Sequence, residues 1–173
     1  MIEELRIRGL GVIEDAVIPF SPGFTVLTGE TGAGKTMVLS GLALITGERA
    51  DAGVVRSGAE RAEVDGEWRV DSSAFAGVVD RLAEAGAEPE RDGDAAVILL
   101  GRSIAAGGRS RATACGRSVP SGVLADVAND LVAVHGQSDQ LTLREPRRQR
   151  ELLDRFGRLE SALAEYARDI AAW

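Results

Sequence analysis

The sequence predicts an α/β domain of the P-loop nucleotide-binding class, and three observations carry that expectation. Gly29-Glu30-Thr31-Gly32-Ala33-Gly34-Lys35-Thr36 fits the pattern G-x-x-x-x-G-K-[ST] in full. A short stretch rich in β-forming residues, 24–28, leads into it, and Met37, Val38, Leu39, Leu42, Leu44 and Ile45 follow as a buried helix ending near Gly47. Lys35 is also the only lysine among 20 basic residues, all the others being arginine. A compact ammonium reaches the β- and γ-phosphates in a way that the wide guanidinium fork does not reproduce, so the lone lysine has a chemical reason.

Each element follows from its pattern. Ile2, Leu5 and Ile7, then Val12, Ala16 and Ile18, suggest an opening pair of strands, with Ser21-Pro22-Gly23 as a turn. Residues 24–28 are expected to be the strand that feeds the phosphate loop. Residues 62–70 alternate strictly between apolar or small and charged side chains, the period of a half-exposed antiparallel strand. Ser72 can then cap a helix that turns Phe75, Val78, Val79 and Leu82 inward and stops by Gly86. Residues 88–94 read as an acidic surface loop.

Residues 96–100 and 111–115 read as a strand pair around a glycine- and arginine-bearing loop, 101–110, with a further turn at Gly116. Val123, Leu124, Val127 and Leu131 have helical spacing. Residues 131–134 read as a buried strand, from whose end the polar run from His135 to Gln140 emerges. Leu152, Phe156, Leu159, Leu163, Tyr166, Ile170 and Trp173 then step by four and three, the spacing of a heptad. Two readings of that last segment stand, the start of a coiled coil and an amphipathic helix packed on its own domain.

Composition narrows the classes. Hydrophobic residues at 45% and charged residues at 27% of 173 match an ordinary folded protein. No apolar run approaches the roughly 18 to 20 residues of a membrane-spanning helix, and the opening residues carry two glutamates where a signal peptide has a basic flank. A cytoplasmic protein without membrane contact is expected. Cys115 is the single cysteine and His135 the single histidine, which excludes an internal disulfide and any site that needs two histidines. A net charge of -7 means that any contact with nucleic acid must be local or shared with other chains.

In the phosphate loop the glycines let successive N–H groups converge on an anion, and the following helix adds its partial positive end. Lys35 would then grip the phosphates and Thr36 would offer its hydroxyl to Mg²⁺. Hydrolysis needs, in addition, a carboxylate at the end of a second strand. Val78-Val79-Asp80 lies in a helical stretch and Val134 is followed by His135, so the chain is expected to be one portion of a longer protein. A GTPase of the common type is nearly excluded, because its Asn-Lys-x-Asp motif needs a second lysine. A small-molecule kinase and a binding module without turnover both stay open.

The opening ELRIRGLGVIEDAVIPFSPGFTVLTGETGAGKT, the later VVRSGAERAEV, the segment GGRSRATACGRSVP and the run LVAVHGQSDQL together resemble the RecN family of DNA-repair proteins, in the SMC-like branch of the ATP-binding-cassette ATPases. The resemblance covers nearly the whole chain. It implies the N-terminal lobe of an ABC/SMC-type head with a mixed β-sheet (residues 1–145) and the start of a coiled-coil helix (146–173). It further implies ATP and Mg²⁺ as cofactors, turnover only in the intact protein, and a role in double-strand break repair and recombination at the nucleoid. The implied partners are DNA, the C-terminal half of the same head and the second head of a homodimer.

By the same resemblance Gln137 is the glutamine that meets Mg²⁺ and the attacking water, while Arg56 lies near the nucleotide. For Arg56 a solvated surface arginine is the competing reading. Arg102, Arg109 and Arg111 form either a local phosphate-binding patch or a hairpin with exposed charges. Cys115 stands where the family often has asparagine before the glycine of a turn.

Overall fold

A computed structural model describes residues 1–30, 34–132, 150, 153–154, 156–157 and 159–171. The chain divides into two units, Met1–Ala133 and Val134–Trp173.

The first unit is built on a seven-stranded sheet. Its strands are β1 (Ile2–Leu10), β2 (Ile13–Pro19), β3 (Arg61–Asp71), β4 (Glu90–Asp92), β5 (Ala95–Ala105), β6 (Ser110–Ala114) and β7 (Arg117–Val119). Its helices are α1 (Lys35–Ile45), α2 (Ala76–Glu84) and α3 (Ser121–Leu131), and a single 3-10 turn covers Ala52–Val54. The order is β2-β1-β3-β5-β6-β7, with β4 added beside the start of β5, and each of these pairings is antiparallel.

Period-two alternation gives the sheet two chemically different faces. On one face Leu5, Ile7, Val64, Trp68, Ile98 and Leu100 are buried beneath α1 and its neighbouring helices. Each such side chain, withdrawn fully from water, contributes about 1.5 to 3 kcal/mol. On the other face Arg6, Arg8, Asp15 and Glu63 form exposed ion pairs, Arg6–Asp15 at 3.3 Å and Arg8–Glu63 at 3.8 Å among them. In water such pairs are worth little individually. Asp65 stands on this face too, and its carboxyl is pushed up by burial first and by the charge of Glu63 second.

Helix α1 reaches the sheet at Gly41, where an added Cβ would lie 3.1 Å from Ile7 and 3.4 Å from Val64. It ends where the N–H groups of Gly47 and Glu48 donate to the carbonyls of Leu44 and Ala43 at 3.3 and 3.0 Å. Gly47 has φ +95°, and a Cβ there would stand 2.6 Å from Ala125 of α3. The glycine therefore serves both the cap and the packing of two helices.

Several sequence expectations need correction. Residues 24–28 form no ladder in the described structure, and Phe24, Val26 and Leu27 are exposed by 88%, 60% and 50%. Their β-propensity is intact, but propensity supplies no partner strand, and without one the segment forms no ladder among the described residues. Leu39 of α1 also faces outward, not into the core.

Ser72 does not cap α2. The Asp71 carboxylate closes that turn instead, accepting from the amides of Ser73 and Ala74 at 2.9 Å each and from the Ser73 hydroxyl at 2.6 Å. These donors hold the Asp71 carboxyl below the usual carboxylate range. The acidic stretch after α2 contains β4, whose backbone pairs with residues 95–97 while its side chains stay in water. The expected loop 101–110 is mostly ladder, because β5 runs on to Ala105 opposite β3, leaving only 106–109 as a turn. Leu131 closes α3 rather than opening a strand, and Val132 is its extended C-cap; 133–134 of the expected strand lie outside the described residues.

In the second unit, α4 (Glu160–Ala171) carries an exposed apolar stripe of Leu163, Tyr166 and Ile170.

Candidate nucleotide site

The site begins with a backbone conformation. Gly34 is the residue before α1 and has φ +93°, a left-handed value that a side chain would strain. From there the chain turns directly into helix, its first internal bond running from the Val38 N–H to the Gly34 carbonyl at 3.1 Å. The amides of Lys35, Thr36 and Met37 precede that bond, so they belong to the free donors of a helix start. No side chain caps them. This is the geometry that accepts an anion.

Lys35 folds back over the loop, and its ammonium donates to the main-chain carbonyls of Gly29 and Glu30. The flexible stem keeps that charge at the loop mouth. Thr36 is exposed at the first turn of α1, and its carbonyl accepts from the Ser40 hydroxyl at 3.1 Å. Gly29, Glu30, Gly34, Lys35 and Thr36 are thus gathered at one helix end. Thr31, Gly32 and Ala33 of the motif, and also His135 and Gln137, lie outside the described residues.

The loop is seated by residues that the sequence did not mark. A Cβ on Gly34 would lie 3.4 Å from Ile13 and 3.6 Å from Val12, and one on Gly11 would meet the Met37 sulfur at 2.5 Å. The β1–β2 turn therefore supports the start of α1 across more than twenty residues of chain. Such support is tertiary and leaves no local pattern to find.

Arg56 joins the same turn. Its Nη1 donates to the Val12 carbonyl at 2.8 Å, and its own amide donates to the Gly9 carbonyl at 2.8 Å. It is not simply solvated, and among the described residues its hydrogen bonds go to this turn, not to the phosphate loop.

The three arginines of the expected patch line one cleft but differ in burial. Arg102 points to the helix-covered side and is 7% exposed, whereas Arg109 and Arg111 are in solvent. That cleft, of about 820 Å³, gathers Arg8, Arg61, Arg102, Arg109 and Arg111 with Glu63 and Asp65. Its charges are of both signs. Among the described residues no helix is long and apolar enough to cross a membrane.

The AAA domain family matches residues 4–90. A DNA repair protein RecN of Streptomyces coelicolor is 53% identical over 94% of this chain, which spans 28% of that relative. One from Mycobacterium tuberculosis strain H37Rv is 49% identical over all of this chain and is covered to 30%. The chain thus spans less than a third of these relatives. Among solved structures, a Smc head domain with a coiled coil and joint from Pyrococcus yayanosii overlays with a TM-score of 0.67 at 19% identity, over 99% of this chain and 35% of that one. At that identity the likeness speaks for the fold, an α/β head lobe.

Proposed function

The chain belongs to the AAA domain family and to its RecN-type members, and from that premise we propose that it is the ATP-binding lobe of a DNA-repair ATPase head. One observation carries the reading. A G-K-T loop enters α1 through a left-handed glycine, so that free helix amides and the Lys35 ammonium converge on one small region. Lys35 and the loop amides would hold the triphosphate, and the Thr36 hydroxyl with Gln137 would hold Mg²⁺, which supplies charge neutralisation at the phosphates when bound.

In this reading the isolated chain does not turn over ATP, because among the described residues no strand running to the loop ends in a carboxylate. Exposed Phe24, Val26, Leu27 and Leu39 support the idea that the remaining part of the same head docks beside the loop and completes the sheet. The stripe of Leu163, Tyr166 and Ile170 supports a coiled-coil beginning in the second unit. ATP would then join two heads and hydrolysis release them, on DNA, in the cytoplasm at the nucleoid. A small-molecule kinase is the competing enzyme.

The experiment is ATP turnover by the full-length protein with and without Lys35→Ala. Loss of turnover in the variant, with no phosphate moved to a panel of small acceptors, is the expected result. Unchanged turnover sinks the assignment of Lys35.

A further inference from the structure

Arg102 occupies a place that a cation rarely takes. It sits in a row that crosses five strands, Ile7, Val64, Arg102, Ala112 and Val119, in which every other member is apolar. Its residue is 7% exposed, its Nε is buried with no hydrogen-bond partner, and its Nη2 donates only to the Ser110 hydroxyl at 3.2 Å. No carboxylate among the described residues pairs with it. An uncompensated buried charge is unfavourable, and here burial draws the guanidinium below its usual range.

The small side chain of Ala112 leaves room beside it, and Arg102 lines a cleft of about 310 Å³ together with Ser110, Arg111, Ser118 and Ser121. Two arginines and three serines meet there and no acid does, in a chain where Asp and Glu outnumber Lys and Arg by 27 to 20. The same cleft takes in the start of α3. Pro120 is its N-cap, no side chain caps it, and the first bond runs from the Val123 N–H to the Pro120 carbonyl at 3.0 Å. The amides of Ser121 and Gly122 precede that bond and belong to the free donors of the helix start.

We propose that this cleft is a second anion site, in which Arg102, the serine hydroxyls and the α3 N-terminus bind one phosphate group. It uses no residue of the Gly29 to Thr36 loop, so it stands or falls independently of the nucleotide reading. The group is either a free phosphate or a phosphodiester of a DNA backbone, the two sharing the tetrahedral oxyanion that a guanidinium and helix amides recognise.

The test titrates the full ¹⁵N-labelled chain with inorganic phosphate and, separately, with a short DNA duplex lacking terminal phosphates, following the amides of Ser118, Ser121 and Gly122. Shifts with phosphate alone support a small-anion site, and shifts with the duplex support a backbone contact. In either case Arg102→Met is expected to weaken binding about tenfold or more, the loss of a charge-assisted hydrogen bond. Phosphate should also raise the melting temperature of the wild type by more than that of the variant, which keeps only the loop at Gly29 to Thr36 as an anion site. Should Arg102→Met fail to fold, Ser110→Ala and Ser121→Ala are expected to weaken binding severalfold each, as neutral hydrogen bonds do. Amides indifferent to both ligands, or shifts that survive these substitutions unchanged, overturn the proposal.

Discussion

Arg56 holds the carbonyl of Val12 through its Nη1 at 2.8 Å, and Val12 in turn lies against Gly34, the hinge from which α1 starts. An arginine forty-four positions from Val12 in sequence is thereby connected, through that valine, to the start of α1. Removing it tests whether that support matters. Arg56→Ala is expected to lower stability by about 0.5 to 1.5 kcal/mol, the range for one hydrogen bond, and to weaken nucleotide binding severalfold. Denaturant melts and a calorimetric titration of the full-length protein check the two effects separately.

Lys35→Arg is the sharper companion to the alanine change. The guanidinium keeps the charge but not the point-like geometry, so nucleotide affinity should fall nearly as far as in Lys35→Ala. Full rescue by arginine, read in the same titration, would contradict the role given to the ammonium.

Cys115 has φ +46°, a left-handed value, and with Gly116 at +76° it forms the two-residue turn between β6 and β7. Asparagine tolerates that conformation better than cysteine. Cys115→Asn should therefore stabilise the domain by about 0.5 to 1 kcal/mol, visible as a higher denaturation midpoint with an unchanged slope.

Gly47→Ala should do the reverse. It puts a side chain on a left-handed residue and drives a Cβ to 2.6 Å from Ala125. A loss of about 2 kcal/mol or more is expected from strain and overpacking together. A melt within experimental error of wild type would mean that α1 and α3 separate at little expense.

Asp65 makes a prediction about pH. Its carboxyl titrates above the usual value when folded, so its contribution to stability is fully present below the unfolded pKa and is lost as pH rises through the folded one. Asp65→Asn should thus be more stable than wild type at pH 7, and the difference should vanish below about pH 4. Asp71, held low by its three hydrogen bonds, works in the opposite sense: its contribution is present above the unfolded pKa and fades as pH falls through the folded one. Comparing Asp65→Asn with wild type at each pH cancels that common term.

The candidate site has a stronger local signature than the sheet that carries it. Gly29, Gly34, Lys35 and Thr36 declare themselves because the turn, the helix start and the ammonium are all fixed within eight consecutive residues. Gly11, Val12 and Ile13, which seat the loop, are ordinary hairpin residues until the fold brings them to Gly34 and Met37.

What the sequence determined by itself is what depends on near neighbours: the glycine entry into α1, the period-two strand now seen as β3, the stop of α2 by Gly86, and the helical spacing of Leu124 and Val127. The tertiary structure alone decided which segments find partners. Residues 24–28 have the propensity of a strand and no ladder, whereas 101–105 look like loop and lie in the middle of the sheet. It also decided that Arg102 is buried among apolar residues while Arg109 and Arg111 stay in water. Side-chain pattern records which face a residue can offer; pairing and burial are settled by backbone hydrogen bonds to segments far away in the chain, and no local pattern encodes those.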